Sequence, residues 1–229
     1  MTRHSSSSSR MATESITPIQ TITGLIIAGG RANRMGGIDK GMQQLDGKQM
    51  VQHVIERVQP QVNDIIIIAN HYASHYEQLG FQVWPDITPD FAGPLAGLEA
   101  GLSHCTTPYL ITIPCDTPFL PLDLVARLYG QLVHQKADLA YACTKTEING
   151  RIQRQPLFCL VPTRLLPAIS DFIQRGGRKM DGWCTTFTIA DVIFQDHDAF
   201  TNINTLTELQ ECEQSHRNNT STVTPARIA

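Results

Sequence analysis

The sequence predicts an α/β protein with a Rossmann-like, three-layer, mostly parallel sheet that carries helices on both faces. Short apolar, β-branched runs alternate along the chain with segments of helical period, which is typical of a parallel sheet covered by helices. The run 64–69 (DIIIIA) is apolar without a break after its first residue, as expected of a strand buried on both faces. Residues 21–213 contain no internal repeat and no break in composition, so we predict that they form a single domain.

Each element in the first half of the chain follows from a local pattern. The first strand, ITGLIIA, leads into a glycine-rich loop, and the fourth, YLITIP, ends before a cysteine and an aspartate. Segments of helical period follow the first two strands, and a helix of small residues begins at a proline after the third. In chain order we predict strand 22–28, helix 49–59, strand 64–69, helix 74–79, strand 81–84, helix 94–103 and strand 109–114.

The second half of the chain alternates in the same way. Pro121 suits the first turn of a helix, where a backbone N–H would have no partner within the helix. Three apolar runs predict further strands, and segments of helical period lie between and after them. In chain order we predict helix 121–134, strand 139–143, strand 157–161, helix 162–174, strand 187–193 and helix 205–212.

The two ends of the sequence differ in composition from the rest. Residues 1–20 contain a serine run and lack the apolar segment of a signal peptide, so we expect a disordered leader or a cloning remnant. Residues 214–229 are rich in Asn, Thr and Ser, and we expect them to be a disordered tail.

The overall composition excludes several classes of protein. The 229 residues carry a net charge of −3 at pH 7, whereas a general nucleic-acid binder would carry a basic excess. No apolar run approaches the ~20 residues that cross a bilayer, so we expect no membrane association. The six cysteines form no C-x-x-C pair, and we interpret them as small buried residues in a reducing, cytoplasmic compartment rather than as a disulfide framework.

The strongest local motif follows the first strand, where residues 28–40 read AGGRANRMGGIDK. Its four glycines allow tight turns and let backbone N–H groups approach a ligand, while Arg31, Arg34 and Lys40 supply positive charge. Such a loop suits a triphosphate, although it matches neither the Walker loop nor the G-x-G-x-x-G dinucleotide fingerprint. The alternative is a solvated glycine-rich turn.

This loop resembles the G-G-x-S-x-R-M-G-x-D-K signature of small nucleotidyltransferases, with Ala32 where that signature has Ser. Its doubled glycine at 36–37 is similar to that of the molybdenum cofactor guanylyltransferases in particular. The resemblance extends over about residues 22–212 and implies a nucleotide-diphospho-sugar transferase-like fold. Further matching motifs occur in the same order, namely GPLAG at 93–97, PCDTP at 114–118, QPL at 155–157 and NINT at 202–205.

The resemblance implies catalytic roles for three residues. Asp116 closes the fourth predicted strand at the edge where open α/β sheets bind ligands, and the resemblance assigns it to Mg²⁺; alternatively it caps the next helix. Lys40 is implied to neutralise charge on the α-phosphoryl group and on the departing pyrophosphate. Arg34 is implied to bind phosphate oxygens. A surface lysine and an arginine that braces the loop are the alternatives.

The resemblance also implies positions that bind nucleotide and pterin. Asn70 and Asp86 follow the second and third predicted strands and would select the base, unless they are ordinary turn residues. Arg178 belongs to a second basic, glycine-rich segment at 175–179, which resembles a family segment only loosely and is alternatively a helix stop. The implied binding residues are Ile27, Ala28, Gly29, Gly30, Gly36, Lys40, Asn70, Asp86, Gly93, Asp116, Arg178, Asn202 and Asn204.

Two other groups of reactive side chains are interpreted as structural. His71 and His75 lie four residues apart, but with Tyr72 and Tyr76 beside them and no carboxylate partner they indicate a surface helix rather than a metal site. Cys115, although next to the implied magnesium ligand, is interpreted as a packing residue.

The activity that the resemblance implies is transfer of GMP from GTP to the phosphate of molybdopterin, which releases pyrophosphate and forms the guanine dinucleotide cofactor. GTP, molybdopterin and Mg²⁺ are the implied ligands. Cofactor-biosynthesis proteins, molybdoenzymes or their chaperones are the implied partners. Two alternatives stay open: a cytidylyltransferase that acts on the same pterin or on another phosphorylated metabolite, and a non-catalytic cofactor carrier.

Overall fold

The computed structural model describes residues 21–28, 39–87, 93–146 and 150–221. Within these residues, seven strands form one sheet and two more form a small antiparallel hairpin. The strands are β1 (Ile22–Ile27), β2 (Gln44–Leu45), β3 (Lys48–Gln49), β4 (Asp64–Ile68), β5 (Gln82–Trp84), β6 (Tyr109–Pro114), β7 (Leu139–Lys145), β8 (Ile152–Pro162) and β9 (Ile189–Ile193).

The large sheet has the order β5-β4-β1-β6-β8-β7-β9. Strand β8 runs antiparallel to both of its neighbours, β6 and β7, whereas the other described pairs are parallel. The prediction of a mostly parallel sheet is confirmed.

Helices cover both faces of this sheet, which confirms the three-layer prediction. Buried side chains of α1 and α4 pack on one face, and those of α3, α5 and α6 pack on the other. The helices are α1 (Met50–Val58), α2 (Ala73–Glu77), α3 (Pro94–His104), α4 (Leu124–Gln135), α5 (Leu166–Gln174), α6 (Met180–Cys184) and α7 (Leu206–Ser221).

The isoleucine run of β4 shows why that strand is apolar on both sides. Ile65 and Ile67 belong to the core cluster beneath α1 and α4, whereas Ile66 and Ile68 belong to the cluster beneath α3 and α5. Successive side chains of a strand point to opposite faces, so a strand between two helical layers buries the side chains of both faces and is mainly apolar.

The carboxyl ends of the parallel strands meet at one edge of the sheet. Ile27 at the end of β1 pairs with Ile68 at the end of β4 and with Pro114 at the end of β6. Ile68 pairs in turn with Trp84 at the end of β5. Residues that follow these four strands are therefore brought close together, at the edge where ligands bind in open α/β sheets.

Several boundaries differ from the sequence-based prediction. Helix α4 begins at Leu124 rather than at Pro121, whose carbonyl instead accepts hydrogen bonds at the turn before the helix. Strand β8 begins at Ile152, five residues before the predicted start; its first five residues, IQRQP, are mostly exposed and form no apolar run from which a strand could be predicted. Helix α7 continues to Ser221, beyond the predicted helix end and the predicted domain limit at residue 213. The assignment of residues 21–213 to a single domain stays a prediction.

Two short elements were not predicted at all, the β2–β3 hairpin and α6. The hairpin turns tightly at Asp46 and Gly47, which both have positive φ angles of 50° and 78°. Leu45 of the hairpin packs with Met50, and both contact a small apolar cluster that includes Ile203 and Leu209. The hairpin thus joins the beginning of α7 to the segment that precedes α1.

All six cysteines lie in the described residues and are free thiols, four of them buried and two half-buried. The four buried thiols, at positions 115, 143, 159 and 184, pack as predicted, and none of the six forms a disulfide. In the part of the chain that the structure describes, no helix has both the length and the apolarity needed to span a membrane.

Candidate active site

A cleft of about 150 Å³ opens at the carboxyl edge of the sheet and is called the edge cleft below. It brings together five of the residues that the sequence predicts as site residues: Ile27, Ala28, Lys40, Asp116 and Asn202. Its other described lining residues are Asp39, Pro94, Pro114, Cys115 and Leu157.

Lys40 and Asp116 form an ion pair in this cleft. The Lys40 Nζ atom lies 3.1 Å from Asp116 Oδ2, and it also donates a hydrogen bond to Asn204 Oδ1. The Asp116 side chain is only 7% exposed and the Lys40 side chain 28% exposed, so the carboxylate is buried while the ammonium reaches solvent. Three predicted site residues from distant parts of the sequence therefore meet at one charged centre.

The electrostatic state of Asp116 follows from this burial. Desolvation raises the pKa of Asp116 above its ordinary value, the Lys40 ammonium opposes that shift, and Glu208 adds to it. A buried carboxylate of this kind is stabilised by any further positive charge that reaches it. In the described residues, no group of three or more His, Cys, Asp or Glu side chains forms a metal cage, so a cation here would take other ligands from substrate or water.

The segment after β9 holds Asn202 and Asn204 in place. The Ile203 N–H donates to the Asp116 carbonyl at 2.9 Å, and the Thr117 hydroxyl donates to Asn202 Oδ1 at 3.1 Å. Beyond this segment, Glu208 accepts hydrogen bonds from the N–H groups of Asn204 and the next residue, at 2.6 and 3.0 Å. The start of α7 is thereby fixed against the end of β6.

Asp39 and Tyr76 are site residues that the sequence reasoning missed. The Tyr76 hydroxyl donates to Asp39 Oδ1 at 2.6 Å, and the Gly41 N–H donates to the same oxygen at 2.9 Å. Tyr76 lies in the same helix as His75, but its side chain is fully buried, whereas His71 and His75 are exposed, as inferred from the sequence. Helix α2 has only five residues, too few for a helical period to show which residue faces the core.

Asn70 and Asp86 lie at the same edge of the sheet and bind each other. Asn70 Nδ2 donates to Asp86 Oδ2 at 2.7 Å, and the Asp86 N–H donates to Asn70 Oδ1 at 2.9 Å. Burial raises the pKa of Asp86, and the hydrogen bond from Asn70 opposes that shift. These two hydrogen bonds join the ends of β4 and β5, which is a role that ordinary turn residues also play. They also place Asn70 and Asp86 at the edge of the sheet on which the cleft opens.

Gly93 immediately precedes α3, whose first residue, Pro94, lines the edge cleft. The amino terminus of α3 is therefore directed at the cleft, an arrangement that favours anions. Gly29, Gly30, Arg34 and Gly36 lie outside the described residues.

Arg178 is not among the described residues that line the cleft. Its Nη1 atom donates to the carbonyls of Ile173 and Gly177, at 3.4 and 3.0 Å, within its own segment. Gly176 has a φ of +87°. The N–H groups of Gly176 and Gly177 donate hydrogen bonds to carbonyls in the last turn of α5, which is the geometry of a helix stop. The structure supports the helix-stop interpretation of the glycines, and the pterin-binding role of Arg178 stays a prediction.

The edge cleft combines a lysine ammonium, a buried carboxylate and a helix amino terminus, which suits a phosphate chain with an associated cation. The sequence model of the MobA-like NTP transferase domain matches residues 24–186, well over half of the chain. The chain belongs to the MobA-like NTP transferase family. It is accordingly a nucleotidyltransferase, and the nucleotidyltransferase resemblance drawn from the sequence motifs is confirmed.

The alignments with curated relatives of this MobA-like protein span nearly the whole length of those relatives. The molybdenum cofactor guanylyltransferase of Bordetella petrii is 53% identical over 190 residues, which span 83% of this chain and 96% of the relative. The protein of the same name from Cupriavidus necator is 50% identical over 192 residues, which span 84% of this chain and 96% of the relative.

The fold is also found in solved structures. The crystal structure of molybdopterin-guanine dinucleotide biosynthesis protein A from Archaeoglobus fulgidus matches with a TM-score of 0.68 at 19% identity, covering 86% of this chain and 99% of that chain. At this identity the match supports the nucleotidyltransferase-like α/β fold of the MobA-like protein and not its substrate.

Proposed function

We propose that this MobA-like protein is a molybdenum cofactor guanylyltransferase, which transfers GMP from GTP to the phosphate of molybdopterin. The observation that carries the proposal is the contact of Lys40 with Asp116 and Asn204 in the edge cleft, in a chain 53% identical over 190 residues to a relative of that name. The charged centre supplies what nucleotidyl transfer needs, namely positive charge beside the phosphates and a carboxylate that can hold a cation.

The residues in the cleft fit a magnesium ion. Asp116 would hold it, because its buried carboxylate is an oxygen donor of the kind that Mg²⁺ prefers and lies at the cleft where phosphates would bind. Bound there, Mg²⁺ would neutralise charge on the nucleotide phosphates.

In the proposed reaction a phosphate oxygen of molybdopterin forms a bond to the α-phosphorus of GTP. The bond between that phosphorus and the α,β-bridging oxygen breaks, and pyrophosphate leaves with the electron pair. Lys40 stabilises the negative charge that develops on the α-phosphoryl group and on the leaving group, and Arg34 of the glycine-rich loop binds phosphate oxygens.

The protein supplies no nucleophile in this scheme. The attacking phosphate is already ionised, so in-line positioning and charge neutralisation provide the acceleration. Burial raises the pKa of Cys115 well above its ordinary value, so the thiol beside Asp116 stays protonated at neutral pH and acts by packing.

Binding of the two substrates is assigned to the rest of the edge. We propose that the backbone at Ile27 and Ala28 and the glycines 29, 30, 36 and 93 surround the nucleotide, and that Asn70 and Asp86 select guanine. Asn202 and Asn204, with Arg178, are proposed to bind the pterin. The free cysteines suit a cytoplasmic location, and delivery to molybdoenzymes, through chaperones or other biosynthesis proteins, follows from the product.

Nucleotide-dependent thermal stabilisation tests the proposal. The melting temperature is measured with GTP, CTP, ATP and UTP, each with and without Mg²⁺, since a ligand that binds the folded state raises it by mass action. We expect GTP with Mg²⁺ to give the largest rise, and pyrophosphate to be released once molybdopterin is added without any partner protein. A larger rise with CTP would indicate the cytidylyltransferase alternative, and nucleotide binding without pyrophosphate release would indicate a carrier.

A further inference from the structure

Tyr76 is a buried polar residue close to the charged centre, and the proposed reaction does not use it. Its side chain is fully buried, and its hydroxyl donates a 2.6 Å hydrogen bond to Asp39 Oδ1. Asp39 itself is 6% exposed and lines the edge cleft. A buried hydroxyl bound to a buried carboxylate is costly unless both are satisfied, so this contact determines where the Asp39 side chain lies.

The same carboxylate oxygen fixes the backbone that carries Lys40. Asp39 Oδ1 accepts the Gly41 N–H at 2.9 Å, and thus caps the short 3₁₀ turn Lys40–Met42. Asp39 Oδ1 accepts both the Tyr76 hydroxyl and the Gly41 N–H, so this one oxygen links the tyrosine to the turn that carries Lys40.

The turn fits closely between α2 and the end of β6. A Cβ atom built on Gly41 would lie 2.5 Å from the Tyr76 hydroxyl oxygen and 3.2 Å from Cys115 Cβ. No side chain has room at this position, because Tyr76 and Cys115 both fill the space that a Cβ atom would need. Cys115 precedes Asp116 directly, and the lysine turn is thereby placed at a set distance from the carboxylate that Lys40 contacts.

We propose that Tyr76 is a positioning residue for nucleotidyl transfer: through Asp39 its hydroxyl holds the Lys40–Met42 turn so that the Lys40 ammonium stays on Asp116 and Asn204. This inference rests on the proposed function for its catalytic consequence. The geometric part, that Tyr76 restrains the turn, is independent of which nucleotide the protein uses.

Tyr76→Phe tests the proposal against Tyr141→Phe as a matched control. Tyr141 is also buried, at 2% exposed, and its hydroxyl lies 2.8 Å from Cys184 Sγ in the core cluster on the opposite face of the sheet. Each variant removes one buried hydroxyl and keeps the ring, so a loss of stability alone would lower the melting temperature of both.

We expect Tyr76→Phe to lower kcat about tenfold while the KM for GTP changes less than about twofold, because the ground-state contacts of the nucleotide are kept and the lysine is misplaced. Tyr141→Phe is expected to keep kcat within about twofold of the wild type. Asp39→Asn, which retains an oxygen that accepts both hydrogen bonds, is expected to keep more activity than Asp39→Ala. Equal kcat for the two tyrosine variants, or equal activity of the two Asp39 variants, would overturn the proposal.

Amide hydrogen exchange supplies a second measurement that needs no substrate. Tyr76→Phe is expected to speed exchange of the Gly41 amide relative to both the wild type and Tyr141→Phe, since the carboxylate that holds this amide loses its other anchor. Unchanged exchange at Gly41 overturns the inference even if the wild type proves active. If the wild type transfers no nucleotide but exchange at Gly41 rises, the proposed function fails and the restraint by Tyr76 stands.

Discussion

Replacement of Lys40 by Met removes the ammonium from the charged centre and keeps the length of the side chain. At an effective dielectric constant of about 20, two unit charges at the observed 3.1 Å attract by about 5 kcal/mol. The Lys40 side chain is 28% exposed, so water screens the ion pair, and in the variant water can hydrate the Asp116 carboxylate in place of the ammonium. We therefore expect a net loss of about 1–2 kcal/mol in the free energy of unfolding. For a chain of this size that corresponds to a fall of roughly 2–8 °C in melting temperature.

The loss of activity should be larger than the loss of stability. A group that stabilises developing charge contributes about 10²–10³-fold to turnover, so we expect kcat/KM for GTP in Lys40→Met to fall by that factor. Pyrophosphate release measures kcat/KM, and a thermal scan of the same samples shows that the variant is folded. Lys48→Met is the matched control, because Lys48 is nearby in sequence but pairs with exposed Glu56 at 2.7 Å. A Lys40→Met variant with more than about a tenth of wild-type kcat/KM would refute the assignment.

Three further predictions concern other parts of the molecule. Asp116→Asn should abolish turnover and the Mg²⁺-dependent part of the stabilisation by GTP, as seen by thermal shift, while the variant stays folded. Hydrogen bonds from Arg154 hold the pKa of Asp191 below its ordinary value. The stabilisation by this pair is therefore present above the unfolded-state pKa of the aspartate and is lost as pH falls through the lower folded-state pKa. Asp191→Asn should lower the urea midpoint at pH 7, and the difference from the wild type should shrink as pH falls below the ordinary range of aspartate. Gly101→Ala would place a Cβ against the Leu25 side chain of β1 and should lower the free energy of unfolding by about 1–3 kcal/mol. Gly130→Ala, in open space on α4, should leave that free energy equal or raise it by about 1 kcal/mol. Equal urea midpoints for the two variants would contradict the packing.

The parts of the fold that the sequence predicts well are those in which local pattern and tertiary environment agree. Strand β6 has the bounds expected of YLITIP, and β4 differs by one residue, because strands buried on both faces are nearly continuous apolar runs. The start of β8 is not predicted for the opposite reason, since residues 152–156 (IQRQP) are mostly exposed, contain three polar side chains and a proline, and resemble a loop. The β2–β3 hairpin has only two residues in each strand, too few for any period to be visible.

In the candidate site, too, the sequence predicts the residues that stand at a local motif and misses those that depend on contacts between distant segments. Lys40 and Asp116 could be predicted because each stands at a recognisable motif, and the ends of parallel strands meet at one edge whatever the details of packing. Asp39 is only one letter of the glycine-rich motif in the sequence, and Tyr76 only a neighbour of two histidines. Their hydrogen bond joins residues 37 apart in the sequence, and no local pattern in either segment predicts it.

The position of the Lys40 ammonium depends on two parts of the chain that come together only in the folded protein. One is the turn held by Asp39, and the other is Asn204, which is 164 residues away in the sequence. Asn204 is in turn fixed by Glu208 at the start of α7, and that helix packs on the hairpin beyond the lysine turn through the apolar contacts of Leu209. Asp39 lies early in the sequence and Asn204 near its end, so the charged centre is complete only when α7 packs against the rest of the fold. A net charge of −3 spread over the chain gives no hint of this centre; the site is made by bringing one lysine, one buried carboxylate and one amide to the same edge of the sheet.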